Sequence, residues 1–214
     1  MISRIAATLA PVFGRMTVTA DAAGPILGGA ILVANHTSLA DPVVVVAALR
    51  RLGVDPVVMA AAGLWRVPVL GAALAREGHI PVRRGTARAA QALDDAAEAL
   101  AAGRCVLMYG EGGIPERRDS GEAAPLPFRS GLARLARSTG APVRPVGQAG
   151  ARRISSGTAA KQIAGALTAP ARRPRVHVHV GAPLSLPEHV AEATAVAHGA
   201  VTSAWRTAVA GLAA

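Results

Sequence analysis

Residues 30–34, Ala-Ile-Leu-Val-Ala, form an unbroken apolar run that stops at Asn35-His36. A second run, Val43 to Leu49, starts directly after Asp41-Pro42. Apolar runs bounded by polar punctuation describe a buried strand, a short polar turn and then a helix. Asp41-Pro42 suits a helix start, because proline in the first turn gives up an N–H that has no intrahelical partner. Ser38 competes as the N-cap, which places Asp41 at the capping-box position. On either assignment a histidine at a strand end stands within reach of a carboxylate at a helix start. That is the arrangement of a general base and the group that orients it.

The same punctuation recurs along the chain. Met16–Ala20, Val54–Ala60, Ile80–Val82, Cys105–Tyr109, Val143–Val146 and Arg175–Val180 read as further strands. Pro81 argues for an edge position for its strand. Pro42–Leu52, Thr86–Ala102, Phe128–Thr139 and Pro187–Leu212 read as helices, the first three ending at Gly53, Gly103 and Gly140. The apolar stretch Gly63–Ala75 is interrupted by Pro68 and Gly71, which demands a kink or two short helices. Strands alternating with helices predict an α/β fold: a single-domain αβα sandwich with a mixed, largely parallel sheet. Within one domain over 1–214, residues 1–23 supply an amphipathic surface helix and the first strand, and 24–150 the motif-bearing core. Residues 151–175 read as a basic loop, and 176–214 as a closing strand and helices. Ile2, Ile5, Ala6 and Leu9 beside Arg4 carry the amphipathic pattern.

The formal net charge is +10, and its placement narrows the partners. No acidic residue occurs between Glu122 and Glu188, whereas Arg129, Arg134, Arg137, Arg144, Arg152, Arg153, Lys161, Arg172, Arg173 and Arg175 all fall in that interval. Such asymmetry predicts attraction to polyanions: an anionic membrane surface or a phosphorylated substrate. Nucleic acid is disfavoured, since Phe13, Trp65, Tyr109, Phe128 and Trp205 are the whole aromatic complement and offer few stacking platforms. The lone cysteine, Cys105, lies in an apolar run and reads as a buried, inert thiol. No transmembrane helix is expected, because no run of about 18 apolar residues occurs. His177 and His179 alternate on one strand and read as surface or rim residues, without the further ligands a metal site needs. No Gly-x-Ser-x-Gly elbow offers a serine nucleophile.

Polar loops that follow strands are where open α/β sheets place function. Here they are Asn35–Asp41, Arg83-Arg84-Gly85 and Gly110-Glu111-Gly112-Gly113. Their order and spacing carry a resemblance. The series runs Asn35-His36-x4-Asp41-Pro42, Leu64-Trp65-Arg66-Val67-Pro68, Ile80-Pro81-Val82-Arg83-Arg84-Gly85, Tyr109-Gly110-Glu111-Gly112, Pro127-Phe128-Arg129-Ser130-Gly131 and Ala141-Pro142-Val143-Arg144-Pro145. It resembles the glycerolipid acyltransferase family, whose best-known members are lysophosphatidate (1-acylglycerol-3-phosphate) acyltransferases, over roughly residues 24–150.

The resemblance implies a catalytic pair. His36 would take the proton from an acceptor hydroxyl and Asp41 would hold its imidazole, so that the hydroxyl attacks an acyl thioester with no acyl-enzyme. It implies that Arg84 holds the acceptor's phosphate, that Glu111 and Gly112 contribute to acceptor binding, and that Arg129 contacts phosphate or coenzyme A. No cofactor is implied beyond an acyl-coenzyme A or acyl carrier protein thioester as co-substrate, and no metal. The implied partners are a lysophospholipid acceptor, the anionic surface of the cytoplasmic face of the cell membrane, and acyl carrier protein as an alternative donor carrier. The chain departs from the family pattern at Gly113-Ile114, where Thr-Arg is usual, with Arg117 and Arg118 nearby at a different spacing. Acceptor identity is the property this departure touches.

Overall fold

The computed structural model describes residues 14–21, 26, 28–86, 89–114 and 121–213. The helix expected over residues 1–12, and Arg117 and Arg118, lie outside the described residues. Strands β1 (Arg15–Ala20), β2 (Ile31–Ala34), β3 (Val57–Ala61), β4 (Ile80–Val82), β5 (Val106–Tyr109), β6 (Val143–Ala149) and β7 (Arg175–Val180) form one sheet in the order β1-β7-β6-β2-β5-β3-β4. From β6 to β4 neighbours run parallel. β7 is antiparallel to β6, and β1 runs parallel to β7. The mixed, largely parallel sheet follows. Pro81 sits on β4, the edge strand, where a missing N–H costs no ladder bond.

Helices cover both faces. On one side α1 (Asp41–Arg51) packs Val44, Val45, Ala48 and Leu49 on Leu32, Leu107, Val146 and Val178. On the other, α3 (Gln91–Ala101), α4 (Gly131–Thr139) and α6 (Val190–Ala213) cover Ile31, Val33, Val106 and Val143. The central strand β2 is buried along its whole length, which is why it reads as an unbroken apolar run and not as an alternation.

α1 contains four successive valines, Val43–Val46, which are poor helix formers. Tertiary burial decides, each buried valine or leucine contributing about 1.5–3 kcal/mol. The ends help: Asp41 and Pro42 open the helix, while Arg50 and Arg51 complement the dipole at its last turn. Past the end, Val54 N–H reaches Leu49 O and Gly53 N–H reaches Arg50 O, a Schellman closure that puts Gly53 at φ 80°.

The interrupted stretch resolves into two short helices, a 3-10 turn over Ala62–Arg66 and α2 (Leu70–Arg76). The segment expected as a basic loop instead carries α5 (Ala159–Arg172), capped by the Thr158 side chain. Ala169 on α5 joins the core against Val176. Its alanines favour a helix, but Gly165 and Pro170 hide the pattern in sequence. A second correction concerns His177 and His179. Both are buried, because β7 lies between β1 and β6 and is covered by α6. Cys105 is buried, as expected. Among the described residues, no helix is long and apolar enough to cross a membrane.

Candidate active site

β2 ends at Ala34, and the next six residues form a turn that delivers the chain to α1. His36 Nδ1 lies 2.9 Å from Asp41 Oδ2. The same carboxylate oxygen accepts the backbone N–H of Thr37, and that of Ser38 at 2.8 Å, while Asp41 N–H returns to Ser38 O at 3.1 Å. The helix therefore starts at Asp41. What survives of the capping box is its second half, an acidic side chain reaching back to orphan donors. Ser38 Oγ accepts from Ala40 N–H at 3.1 Å and donates to Ser155 O.

Asp41 is fully buried, and the His36 side chain is 12% exposed. An ionised carboxylate can only accept, so Nδ1 carries the proton facing Asp41 and Nε2 keeps its lone pair. No described residue hydrogen-bonds Nε2. The imidazole stacks on Tyr109, with ring centroids 4.2 Å apart and planes 26° apart, which restricts its rotation. Burial first, and the Asp41 carboxylate second, push the Tyr109 phenol well above its usual range, so the ring stays neutral.

The turn is braced from the neighbouring strands. Glu111, just past β5, accepts His36 N–H at 2.8 Å. On β6, Gln148 N–H donates to Asn35 Oδ1 at 2.8 Å and Gln148 O accepts from Asn35 Nδ2 at 3.0 Å, a side chain completing a backbone ladder. Gln148 Nε2 donates to Thr37 Oγ1 and Arg152 Nη1 to Thr37 O, each at 3.0 Å. Burial raises the Glu111 carboxyl above the ordinary glutamate range, while the N–H groups of His36 and Leu126 pull the other way.

Beyond Glu111 the loop meets the arginines. Gly112 takes φ 70°, a backbone shape that favours glycine, and it packs against the Arg129 side chain. Among the described residues, a Cβ added at Gly113 would meet only Arg84 Nη1, at 3.6 Å. Arg129 is anchored by its own N–H to Gly110 O at 2.9 Å. Burial, then the charge of Arg129, lower the pKa of the Arg84 guanidinium. Neither arginine forms an ion pair with a described residue. Two guanidiniums that repel each other across a glycine loop offer planar, bidentate donors to a multiply charged anion.

A family model described as Acyltransferase matches residues 15–148. The chain belongs to the acyltransferase family. Among solved structures it is similar to the 1-acyl-sn-glycerophosphate (LPA) acyltransferase PlsC from Thermotoga maritima, with a TM-score of 0.71 at 19% identity, over 100% of this chain and 79% of that one. The two share a fold. No curated protein matches the chain.

Set on this acyltransferase fold, the residues singled out in the sequence fall into one hydrogen-bonded group and one cluster of neighbours, joined by one loop. His36, Asp41 and Glu111 form the first; Arg84, Arg129, Gly112 and Gly113 form the second. Glu111 spends one carboxylate oxygen on the His36 backbone, so it props the histidine from below as well as ending the loop. Tyr109, Gln148 and Arg152 were not identified from sequence as site residues. Only the position of Tyr109 beside Glu111 hinted at a role. Gln148 and Arg152 lie 111 and 115 residues from Thr37, and no local pattern marks them.

Proposed function

We propose that this acyltransferase moves a fatty acyl group from an acyl thioester to the free hydroxyl of 1-acylglycerol-3-phosphate, giving phosphatidate. It does so as a peripheral protein at the cytoplasmic face of the membrane. The single observation that carries the proposal is the His36–Asp41 pair: one ring nitrogen bound by a buried carboxylate at 2.9 Å, the other left with its lone pair.

In this reading Nε2 takes the hydroxyl proton as the acceptor oxygen attacks the thioester carbonyl. Asp41 stabilises the imidazolium that forms. The tetrahedral intermediate collapses with cleavage of the C–S bond. The departing thiolate then takes the proton held by His36, so the histidine ends neutral and no acyl-enzyme forms. Arg84 and Arg129 hold the acceptor's phosphate or the phosphates of coenzyme A, and Glu111 with Gly112 shapes the acceptor side. Acyl-coenzyme A and acyl-acyl carrier protein both satisfy the donor chemistry. A lysophospholipid with a different headgroup is the second reading, favoured by Gly113-Ile114 standing where the family usually has Thr-Arg.

Thiol release from an acyl-coenzyme A in the presence of lysophosphatidate tests the proposal, with the product identified by mass spectrometry. Wild type should release thiol and form phosphatidate. His36→Ala should lower kcat by about 10²–10⁴-fold with folding intact. A variant that turns over like wild type would remove His36 as the base. A different acylated lipid as product would move the reading to the second acceptor.

A further inference from the structure

α5 lies outside the residues matched to the acyltransferase family, and one side of it has no partner within the described residues. Ile163 is 63% and Leu167 77% exposed, and helical spacing puts both on the same side as Ala166. Ala166 lines a cavity of about 310 Å³ together with Leu39 and Val43. Leu39 is itself 64% exposed and lies inside the His36–Asp41 turn. The apolar surface thus runs from α5 across the cavity mouth to the turn that carries the base. It is far more apolar than a solvated helix face, which would put charges where Ile163 and Leu167 stand.

The two ends of α5 carry one sign of charge. Lys161, Arg172 and Arg173 are exposed, none forms an ion pair with a described residue, and no acidic residue occurs between Glu122 and Glu188. Arg172 directs its guanidinium to the carbonyls of Arg153 and Gly165, which fixes a positive charge at the helix end without neutralising it. Exposed aliphatic side chains between cationic helix ends match the two layers of an anionic bilayer, acyl chains below and phosphates above.

We propose that α5, together with Leu39 and Val43, is the surface by which this protein docks on an anionic lipid bilayer. Ile163 and Leu167 enter the acyl region, while Arg173, at the helix end, meets headgroup phosphates. Docking there sets the mouth of the His36 turn against the membrane, so an acceptor lipid reaches the base without crossing water. The choice of a bilayer over a protein partner rests on the lipid-acceptor reading above.

Co-sedimentation of the full chain with vesicles of phosphatidylcholine and phosphatidylglycerol tests it without requiring turnover. The double variant Ile163→Ser/Leu167→Ser should bind these vesicles at least about tenfold more weakly. Arg173→Gln should weaken binding by about fivefold, and the loss should vanish on vesicles of phosphatidylcholine alone. Val67→Ser/Val69→Ser, on the exposed apolar segment beside β3, serves as the control and should bind like wild type. Circular dichroism checks the fold of each variant. Independently, an environment-sensitive dye on Leu167→Cys, with native Cys105 buried, should shift to the blue on anionic vesicles.

Unchanged binding by the Ser double variant, loss confined to the Val67/Val69 variant, or no dye shift would each overturn the proposal. So would wild-type self-association that the Ser double variant abolishes, which would make the surface a contact between copies. Vesicle binding that falls as expected in a protein releasing no thiol would sink the acyl-transfer reading and leave the docking surface standing.

Discussion

Two histidine sites in this molecule use the same chemical parts and come out differently. In the first, His36 stands at a strand end, bonded to Asp41 through Nδ1. In the second, His177 Nε2 and His179 Nδ1 both meet Thr19 Oγ1 at 2.9 Å, and His179 Nε2 lies 3.1 Å from Asp21. There the hydroxyl is wedged between two imidazoles on paired strands, Thr19 opposite His179. α6 closes over the top, with Gly211 against the His177 ring. His36 Nε2 has no hydrogen-bond partner among the described residues, whereas His177 and His179 are walled in by β1 and α6. A carboxylate beside a histidine is therefore not enough. We expect a general base also to need a ring nitrogen that a second molecule can reach.

Substitutions that change one site and leave the other alone break or sharpen this contrast. The largest effect is expected at Asp41→Asn. The amide can still accept the N–H groups of Thr37 and Ser38 but can no longer fix the imidazole tautomer, so kcat should drop by about 10²–10⁴-fold with little change in urea midpoint. Next comes Gly211→Ala, whose Cβ would stand 1.9 Å from His177 Nδ1. It should cost about 1–3 kcal/mol of stability in urea unfolding while turnover per folded molecule stays within about twofold. An equal loss of kcat there would tie the second site to catalysis.

Arg152→Met removes the donor to Thr37 O. It should cost about 1–3 kcal/mol and also lower kcat, because the bond it removes braces the His36 turn. Stability loss with unchanged kcat would make Arg152 purely structural. The smallest effect concerns pH. The folded carboxyl of Glu111 is raised above the ordinary glutamate value of 4.5, chiefly by burial. The fold thus binds that proton more tightly than the unfolded chain does. The stability this contributes is complete below pH 4.5 and is lost as pH climbs through the raised value. Glu111→Gln keeps an oxygen for His36 N–H and should flatten this dependence, gaining on the order of 1 kcal/mol or less at pH 7 relative to wild type. Urea midpoints at acid and neutral pH measure it, and identical slopes in the two proteins would assign the pH dependence elsewhere, with Glu122 next in line.

Much of the architecture was legible in the chain. Buried parallel strands appear as apolar runs, and glycines at helix ends mark the stops, as at Gly53, Gly103 and Gly140. The failures were physical. α5 falls in the segment expected as a basic loop: Gly165 and Pro170 interrupt its helical pattern, although Thr158 caps it and Ala169 buries it. His177 and His179 were placed at the rim because alternation along β7 suggested a half-exposed face. Their burial depends on β1 joining as a parallel neighbour from more than 150 residues away, and on α6 folding back.

By itself, the sequence determined the pair at the centre of the site. His36 and Asp41 are five residues apart, and a strand end, a turn and a proline-opened helix bring them together with local geometry alone. It also determined the order of the loops that follow. Only the tertiary structure decided what holds that pair in place. Glu111, Tyr109, Gln148 and Arg152 reach the turn because β5 and β6 flank β2 in the sheet. Strand neighbours are chosen by burial of two apolar faces across the whole domain, and no spacing of residues along the chain encodes that choice locally.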